Sequence, residues 1–329
     1  MAGESSLTLS YASLLTTTLM KVLDSGALQD NIFNNDVLLA WLRSGDRIKV
    51  IDGGERVRLG ILHEKNTTSG WYADYEALNV QPQEGMTTAF FNWKQAAASI
   101  SISGKELRSN KGPSRLTDLQ KEKINQAAMS LADTIAVGAY SDGTGSSSKQ
   151  MTGLEAMIET TPGTTAYASI PTANTAWRNQ AQASVGAAAV NLLPKLRTVY
   201  NNCKQGKGGA AGAPDTIITT QTIHEAFEAL LFPSVRYAPN PKGGADAGIE
   251  KLLFKGSEVQ WDAYCTSGMV YVLNSKYLFM FVHSDANFAM ADGGFQKPIN
   301  QDALVTQILF QGNLATNNRR KLGKLAGVT

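Results

Sequence analysis

His63, His224 and His283, with Cys203 and Cys265, are the side chains best suited to metal binding or nucleophilic chemistry in this chain. Their spacing supports neither. His224-Glu225 lacks the second histidine four residues on that a helical zinc-protease motif requires. The two cysteines lie far apart and form no zinc-ligand pair. Gly206-Lys207-Gly208-Gly209 has the glycine content of a phosphate cradle, but no Ser or Thr follows the lysine and Pro214 stands where a helix should begin. Gly143-Thr144-Gly145-Ser146 lacks the third glycine of a dinucleotide fingerprint and follows a helical pattern, not a strand. No G-x-S-x-G elbow occurs. Asp52, Asp142 and Asp292 each adjoin a glycine, which turn chemistry already explains. The expectation is a protein with no catalytic residue, no cofactor and no metal.

Composition points the same way. The chain has 329 residues, 43% of them hydrophobic, enough for two domains and a sizeable core. Charged residues make up 18%, low against an average of about 25%. Thirty Lys+Arg against 28 Asp+Glu leave a net charge of +2, unlike a dedicated nucleic-acid binder. Two cysteines are too few for a disulfide framework and suggest a reduced, cytosolic setting. The first 20 residues have neither the cationic start nor the apolar centre of a signal peptide. The longest apolar run, Tyr277 to Val282, is far short of the ~20 residues of a membrane helix.

The elements that organise the chain are therefore structural. Gly112 to Gly145 predicts one long helix: Thr117 and Gln120 fit a capping box, and Asp142-Gly143-Thr144-Gly145 supplies the stop. Leu119, Ile124, Ala127, Ala128, Leu131, Ile135 and Ala139 fall close to a three-four spacing on one face. From Asp118 to Ser141 the helix would span roughly 36 Å. Trp93 to Ser103 is the cleanest strand pattern, Ala96, Ala98, Ile100 and Ile102 alternating with small polar residues. Upstream, Arg47 to Asp52 and Glu55 to Leu62 read as strands, with Trp71 to Leu78 as a return segment and Thr87 to Phe91 beyond it. A two-stranded excursion is marginal in water, so Trp71, Tyr72 and Tyr75 need cover, from their own domain or from a neighbouring copy. Helical turns are expected at 11–24 and 34–43, within a leading segment that either packs on its own domain or reaches others.

Downstream, a linker at 146–150 precedes a second region. Val185 to Cys203 predicts a helix that Pro194 kinks or restarts. Asp215 to Thr220 predicts a buried strand, Ile223 to Phe232 a helix, and further strands follow at 252–254, 258–262, 269–273, 277–283 and 304–314. Arg319-Arg320-Lys321 with Lys324 reads as a solvated basic tail.

In this order the features resemble the major capsid protein of tailed bacteriophages, the Hong Kong 97-type shell fold. The resemblance rests on Gly53-Gly54 with Val57-Arg58-Leu59, on Trp71 to Leu78, and on Phe91-Asn92-Trp93-Lys94 followed by Ile100 to Leu107. The long helix with Ser141 to Gly145 and Thr152-Gly153-Leu154 is its most specific part. Ala213 to Thr219, Leu253 to Gly256 with Val259, and Tyr271 to Asn274 complete it, so that it covers roughly 45 to 315.

The resemblance implies an α+β phage capsid fold: an N-terminal arm at 1–45, an extended β-hairpin loop at 46–90, a peripheral domain from 91–150 and 287–329 with a spine helix at 114–142, and an axial domain at 151–286. It implies a structural protein, not an enzyme, that self-assembles into hexamers and pentamers of an icosahedral shell enclosing double-stranded DNA. The site residues would be intersubunit contacts: Arg56, Arg58, Trp71 and Tyr72 on the loop, with Glu106, Asp118 and Glu122 as acidic partners. Partners would be further copies of the chain, scaffold, portal and decoration proteins, and DNA held by weak non-specific contact, with no membrane. The place would be the virion, assembled in the host cytoplasm. No long helical segment precedes the arm, which implies a separate scaffold or none. Lys65 lies where some relatives crosslink, but no partner or catalytic carboxylate can be assigned. The alternatives are an encapsulin-like compartment, which shares the fold and packs enzymes, and a soluble enzyme of unknown chemistry.

Overall fold

Strand β4 (Lys94–Ser103) shows the alternation its sequence predicts: Ile100 and Ile102 are buried while Ala97, Ser99 and Ser101 face out. In the computed structural model, which describes residues 36–64, 66–110, 119–204, 212–231, 252–291 and 294–329, β4 leads directly into a short helix, α2 (Gly104–Ser109). Ser103 caps α2 through its hydroxyl, and Glu106 reaches back to the Ser103 N–H, a complete capping box. The long helix α3 is described over Leu119–Tyr140; the expected cap at Thr117 lies outside the described residues. Its end is where the sequence placed it. Asp142 accepts from the Thr144 backbone and hydroxyl, and Gly143 takes φ +79°.

The chain that leaves α3 crosses its last turn closely. The Gly153 N–H donates to Ser141 O at 3.1 Å, and a Cβ at Gly153 would sit 2.4 Å from the Ala139 carbonyl oxygen. Only a glycine fits there, for want of space and not for its dihedrals.

Two compact units divide the chain, one holding 96–135 and 285–310 of the described residues, the other 36–95, 136–284 and 311–329. In the first, β4 ends, α3 begins and the hairpin between β10 (Leu278–Met290) and β11 (Ala303–Thr316) turns over. Asp302 organises it by accepting from Arg108 at 2.8 Å, lying 3.6 Å from Lys297, and offering its carbonyl to the Gly104 N–H at 2.7 Å.

The second unit is built on a six-stranded sheet of order β5-β12-β9-β6-β8-β7, from β5 (Gln180–Gln182), β6 (Thr216–Thr219), β7 (Leu253–Phe254), β8 (Ser257–Trp261), β9 (Val270–Leu273) and β12 (Gly323–Leu325). β6 and β9 are central and buried at every residue, as continuous apolar strands are. Helices α4 (Ala188–Lys204) and α5 (Gln221–Leu231) contribute Leu192, Leu196, Val199 and Cys203, with Ile223 and Phe227, to a core shared with Ile217, Val259 and Val272. The 192-196-199-203 spacing is the three-four face of a helix. Pro194 neither breaks nor restarts α4: the one carbonyl it leaves unbonded belongs to Val190, 72% exposed, where water can take it up. β1 (Ile48–Ile51) pairs in parallel with β10 from Ile48 opposite Met280. Before it, α1 (Val37–Ser44) buries Leu38 and Leu42.

Two expectations are overturned. Trp71 to Leu78 is not the return strand. β2 (Arg56–Leu62) pairs with β3 (Met86–Asn92), Arg56 opposite Asn92 and Leu62 opposite Met86, and no cross-strand partner holds 71–78. Nor is the C-terminal basic cluster a solvated tail. Arg319, Lys321 and Lys324 are 2%, 7% and 1% exposed, and β12 lies between β5 and β9. Residues 311–329 belong to the unit that carries this sheet.

Candidate assembly surface

The β2–β3 hairpin has two unlike faces. Val57, Leu59 and Ile61 stand opposite Phe91, Ala89 and Thr87 on the covered side; Arg56, Arg58, Gly60 and Leu62 stand opposite Asn92, Phe90, Thr88 and Met86 on the open side. An aromatic anchor fixes its root. Phe91 meets Tyr167 and Phe281 edge-on at 6.0 and 6.5 Å, Trp93 packs on Phe281 at 4.9 Å, and the Trp93 indole donates to Gly54 O at 2.7 Å. Such pairs are worth about 0.5–1.5 kcal/mol each beyond the area they bury.

At the far end the His63 and Glu64 N–H groups both point to Gly85 O, at 2.9 and 3.5 Å, which closes the ladder and sets off the tip loop. Thr67 and Gln83 join across that loop through a 2.8 Å hydrogen bond. Beyond this the tip is unsheltered. Trp71 and Tyr75 are fully exposed, and Tyr72, Leu78 and Val80 are exposed with them, as are Leu62 and Met86 at the last rung. Burying one side chain of this size is worth about 1.5–3 kcal/mol. Apolar side chains exposed together are the kind of surface that calls for cover.

Arg56 is half-exposed and 3.7 Å from its neighbour Glu55; the Arg58 guanidinium lies 5.8 Å from the Phe90 ring centre. Both sit on the open face, Arg58 opposite the half-buried Phe90, with the exposed Leu62 and Met86 at the last rung of that face. Of the three proposed acidic partners, Glu106 is buried and engaged, capping α2 and meeting Lys123 Nζ at 3.1 Å. Glu122 lies partly exposed in the first turn of α3, and Asp118 is outside the described residues, as is Lys65.

Cys203 and Cys265 are buried, and burial pushes both thiols up to about 12. His283 packs against the Trp93 ring, and Asp142 is committed to its turn with Thr144. Gly206 to Gly209 fall outside the described residues. Among the described residues no cluster of three metal-binding side chains occurs, and no helix is long and apolar enough to cross a membrane.

What the sequence reading missed lies beneath the surface. Arg319 enters an ion pair with Glu159 at 3.2 Å without hydrogen-bond alignment, donates through Nε to Met157 O, and lies 4.9 Å from the Tyr167 ring centre. Glu159 also accepts the N–H groups of Gly163, Thr164 and Thr165. Burial pulls its carboxyl upward, but Thr165, Arg319 and Gly163 outweigh it and hold the group below the usual carboxylate range. Lys324 lies 3.9 Å from Glu155, and burial pulls its ammonium downward.

No protein-family model matches the sequence, and no curated protein matches it. Solved structures do. A capsid asymmetric unit of cyanophage A-1(L) superposes with a TM-score of 0.71 at 15% identity, over 95% of this chain and 99% of that one. The capsid of Myoviridae phage XM1 gives 0.56 at 13% identity over 93% and 96%. The holo-SrpI encapsulin complex of Synechococcus elongatus PCC 7942 gives 0.60 at 10% identity over 96% and 95%. Identities this low speak to architecture alone, and nearly end-to-end coverage makes that statement apply to the whole molecule: the chain has the fold of tailed-phage capsid proteins, shared with encapsulin shells.

Proposed function

We propose that this chain is a phage major capsid protein, forming hexamers and pentamers that close an icosahedral shell around double-stranded DNA. The observation that carries the reading is the hairpin tip, a clamped loop that presents Trp71, Tyr72 and Tyr75 to solvent on a chain with a capsid fold. The tip and the open face of β2 would lie on a neighbouring copy, with Trp71 and Tyr72 as apolar anchors and Arg56 and Arg58 meeting carboxylates there. Glu122 and Asp118 suit that role better than Glu106, whose carboxylate is already engaged within its own subunit. In this reading 1–45 is the arm and 46–90 the extended loop, the peripheral domain draws on 91–150 and the 287–310 hairpin, and the axial domain on 151–286 with the C-terminal strand. Many modest contacts per subunit, each reversible, become firm collectively. A net charge of +2 suits a container wall that does not seize its DNA. Assembly would take place in the host cytoplasm, with portal, scaffold or decoration proteins as further partners.

The encapsulin likeness supports a second reading, a compartment that packs enzymes. Negative-stain microscopy of the expressed full chain tests both: closed particles are expected, with nucleic acid in the phage setting and a co-purifying enzyme in the compartment. Replacing Arg56 and Arg58 together by glutamate should abolish particles while leaving a folded subunit. Normal particles from that double variant would remove the loop from the assembly contact.

A further inference from the structure

The N-terminus of α1 is held by a pair of aspartates. Asp36 is the N-cap of α1, its Oδ1 accepting the Leu39 N–H at 3.1 Å. Asp262, 2% exposed on the loop after β8, accepts the next two free N–H groups of the same helix, Val37 and Leu38, at 3.1 Å each through Oδ2. The same oxygen takes the Tyr140 hydroxyl at 2.8 Å from the end of α3, while Oδ1 takes the Tyr264 N–H at 2.9 Å. One carboxylate thus joins α1, α3 and the 262–264 loop. The second oxygen of Asp36 is buried, and no N–H or O–H of the described residues is aimed at it. The carboxylates of Asp36 and Asp262 converge on the N–H groups of three successive residues, Val37, Leu38 and Leu39, which brings the two side chains together at the first turn of α1. Two acceptors facing one another away from water need a proton between them.

We propose that Asp36 and Asp262 share one proton that fastens α1 to the loop after β8, so that the first turn of α1 loosens from this unit as pH rises. The groups facing the pair are Tyr140 on α3 and Cys265 on the same loop as Asp262. Lys324 on β12 is spoken for by Glu155 and by the Tyr271 ring, and among the described residues no cation forms an ion pair with either aspartate. Burial first, and then the charge of Asp262, raise the Asp36 carboxyl from 3.8 to about 7. The docked state therefore binds the proton more tightly than the undocked one. Its stabilisation is complete below the undocked value and is lost as pH rises through the docked one. From about pH 6 to about pH 8 the docking equilibrium should weaken about tenfold. The proposal does not depend on the shell reading.

Hydrogen exchange on the full chain, corrected for the intrinsic rate at each pH, reads it directly. Protection of the Val37 and Leu38 amides should fall about tenfold from about pH 6 to about pH 8, while amides of β6 and β9 hold theirs. In Asp36→Asn the side-chain amide donates to Asp262 without titrating and still caps the helix. That variant should keep its protection at both pH values. Equal protection of the wild-type amides at the two pH values would overturn the shared proton. So would a fall spread evenly over β6 and β9, or the same pH response in Asp36→Asn.

Discussion

The hairpin tip and the C-terminal segment reverse what their compositions suggest. The tip is rich in aromatics and stands in solvent; the segment at 319–324 is rich in cations and buries three of them, Arg319, Lys321 and Lys324. Arg319 and Lys324 can be inside because each has an answer in its own unit, Glu159 for the first and Glu155 for the second. The aromatics outside have none. Self-sufficiency in this molecule is decided by partners and not by polarity, and the region without partners is the one that an assembly would use.

The comparison can be broken at either end. The largest effect is expected at the buried end: Glu159→Ala strands Arg319 without its carboxylate and should cost about 3–5 kcal/mol in urea denaturation of the unassembled subunit. A loss under about 1 kcal/mol would mean the cation is not truly enclosed. Next comes Trp71→Ala. If it anchors the contact between copies, it should cost about 2 kcal/mol per contact, raising the concentration needed for assembly roughly thirtyfold. Subunit stability should stay within about 0.5 kcal/mol, and light scattering with parallel denaturation separates the two effects. Acid should act on the buried end in the unassembled subunit. The Glu159 carboxyl is depressed by Thr165, Arg319 and Gly163 against the pull of burial, so its stabilisation is present above the usual carboxylate value and disappears as pH falls through the lowered one. Glu159→Gln should flatten that acid limb of a stability-pH profile. The smallest effect belongs to Leu62→Ser with Met86→Ser at the last exposed rung, where subunit stability should change by less than about 0.5 kcal/mol.

Local rules made much of the fold legible. The alternation in β4, the 192-196-199-203 face of α4 and the glycine stop after Tyr140 each follow from neighbours within a few residues. The errors share a different cause. Trp71 to Leu78 carries the aromatics that strands favour, yet β3 wins the pairing with β2 because its alternation places Ala89 and Phe91 beside Leu59 and Val57 on the covered face. Propensity says what a segment tolerates; register is settled by what lies opposite. The basic tail was misread because its acceptors lie far upstream, Met157 being 162 residues from Arg319. The aspartate pair at α1 left no trace in local pattern either, since Asp262 reaches its partners 224 residues away. The loop's exposed aromatics were legible as a surface in need of cover, and the residue types alone could name it.

The double hydrogen bond to Gly85 O has a practical corollary. With both ends of the 66–84 segment already tied together, a foreign peptide spliced between Tyr75 and Leu78 lengthens a loop whose closure is set by the strands beneath it. Each doubling of its length should cost only about 0.6 kcal/mol. The hairpin is therefore a natural place to graft an epitope or a protease site that reports, by its accessibility, whether the tip has found its neighbour.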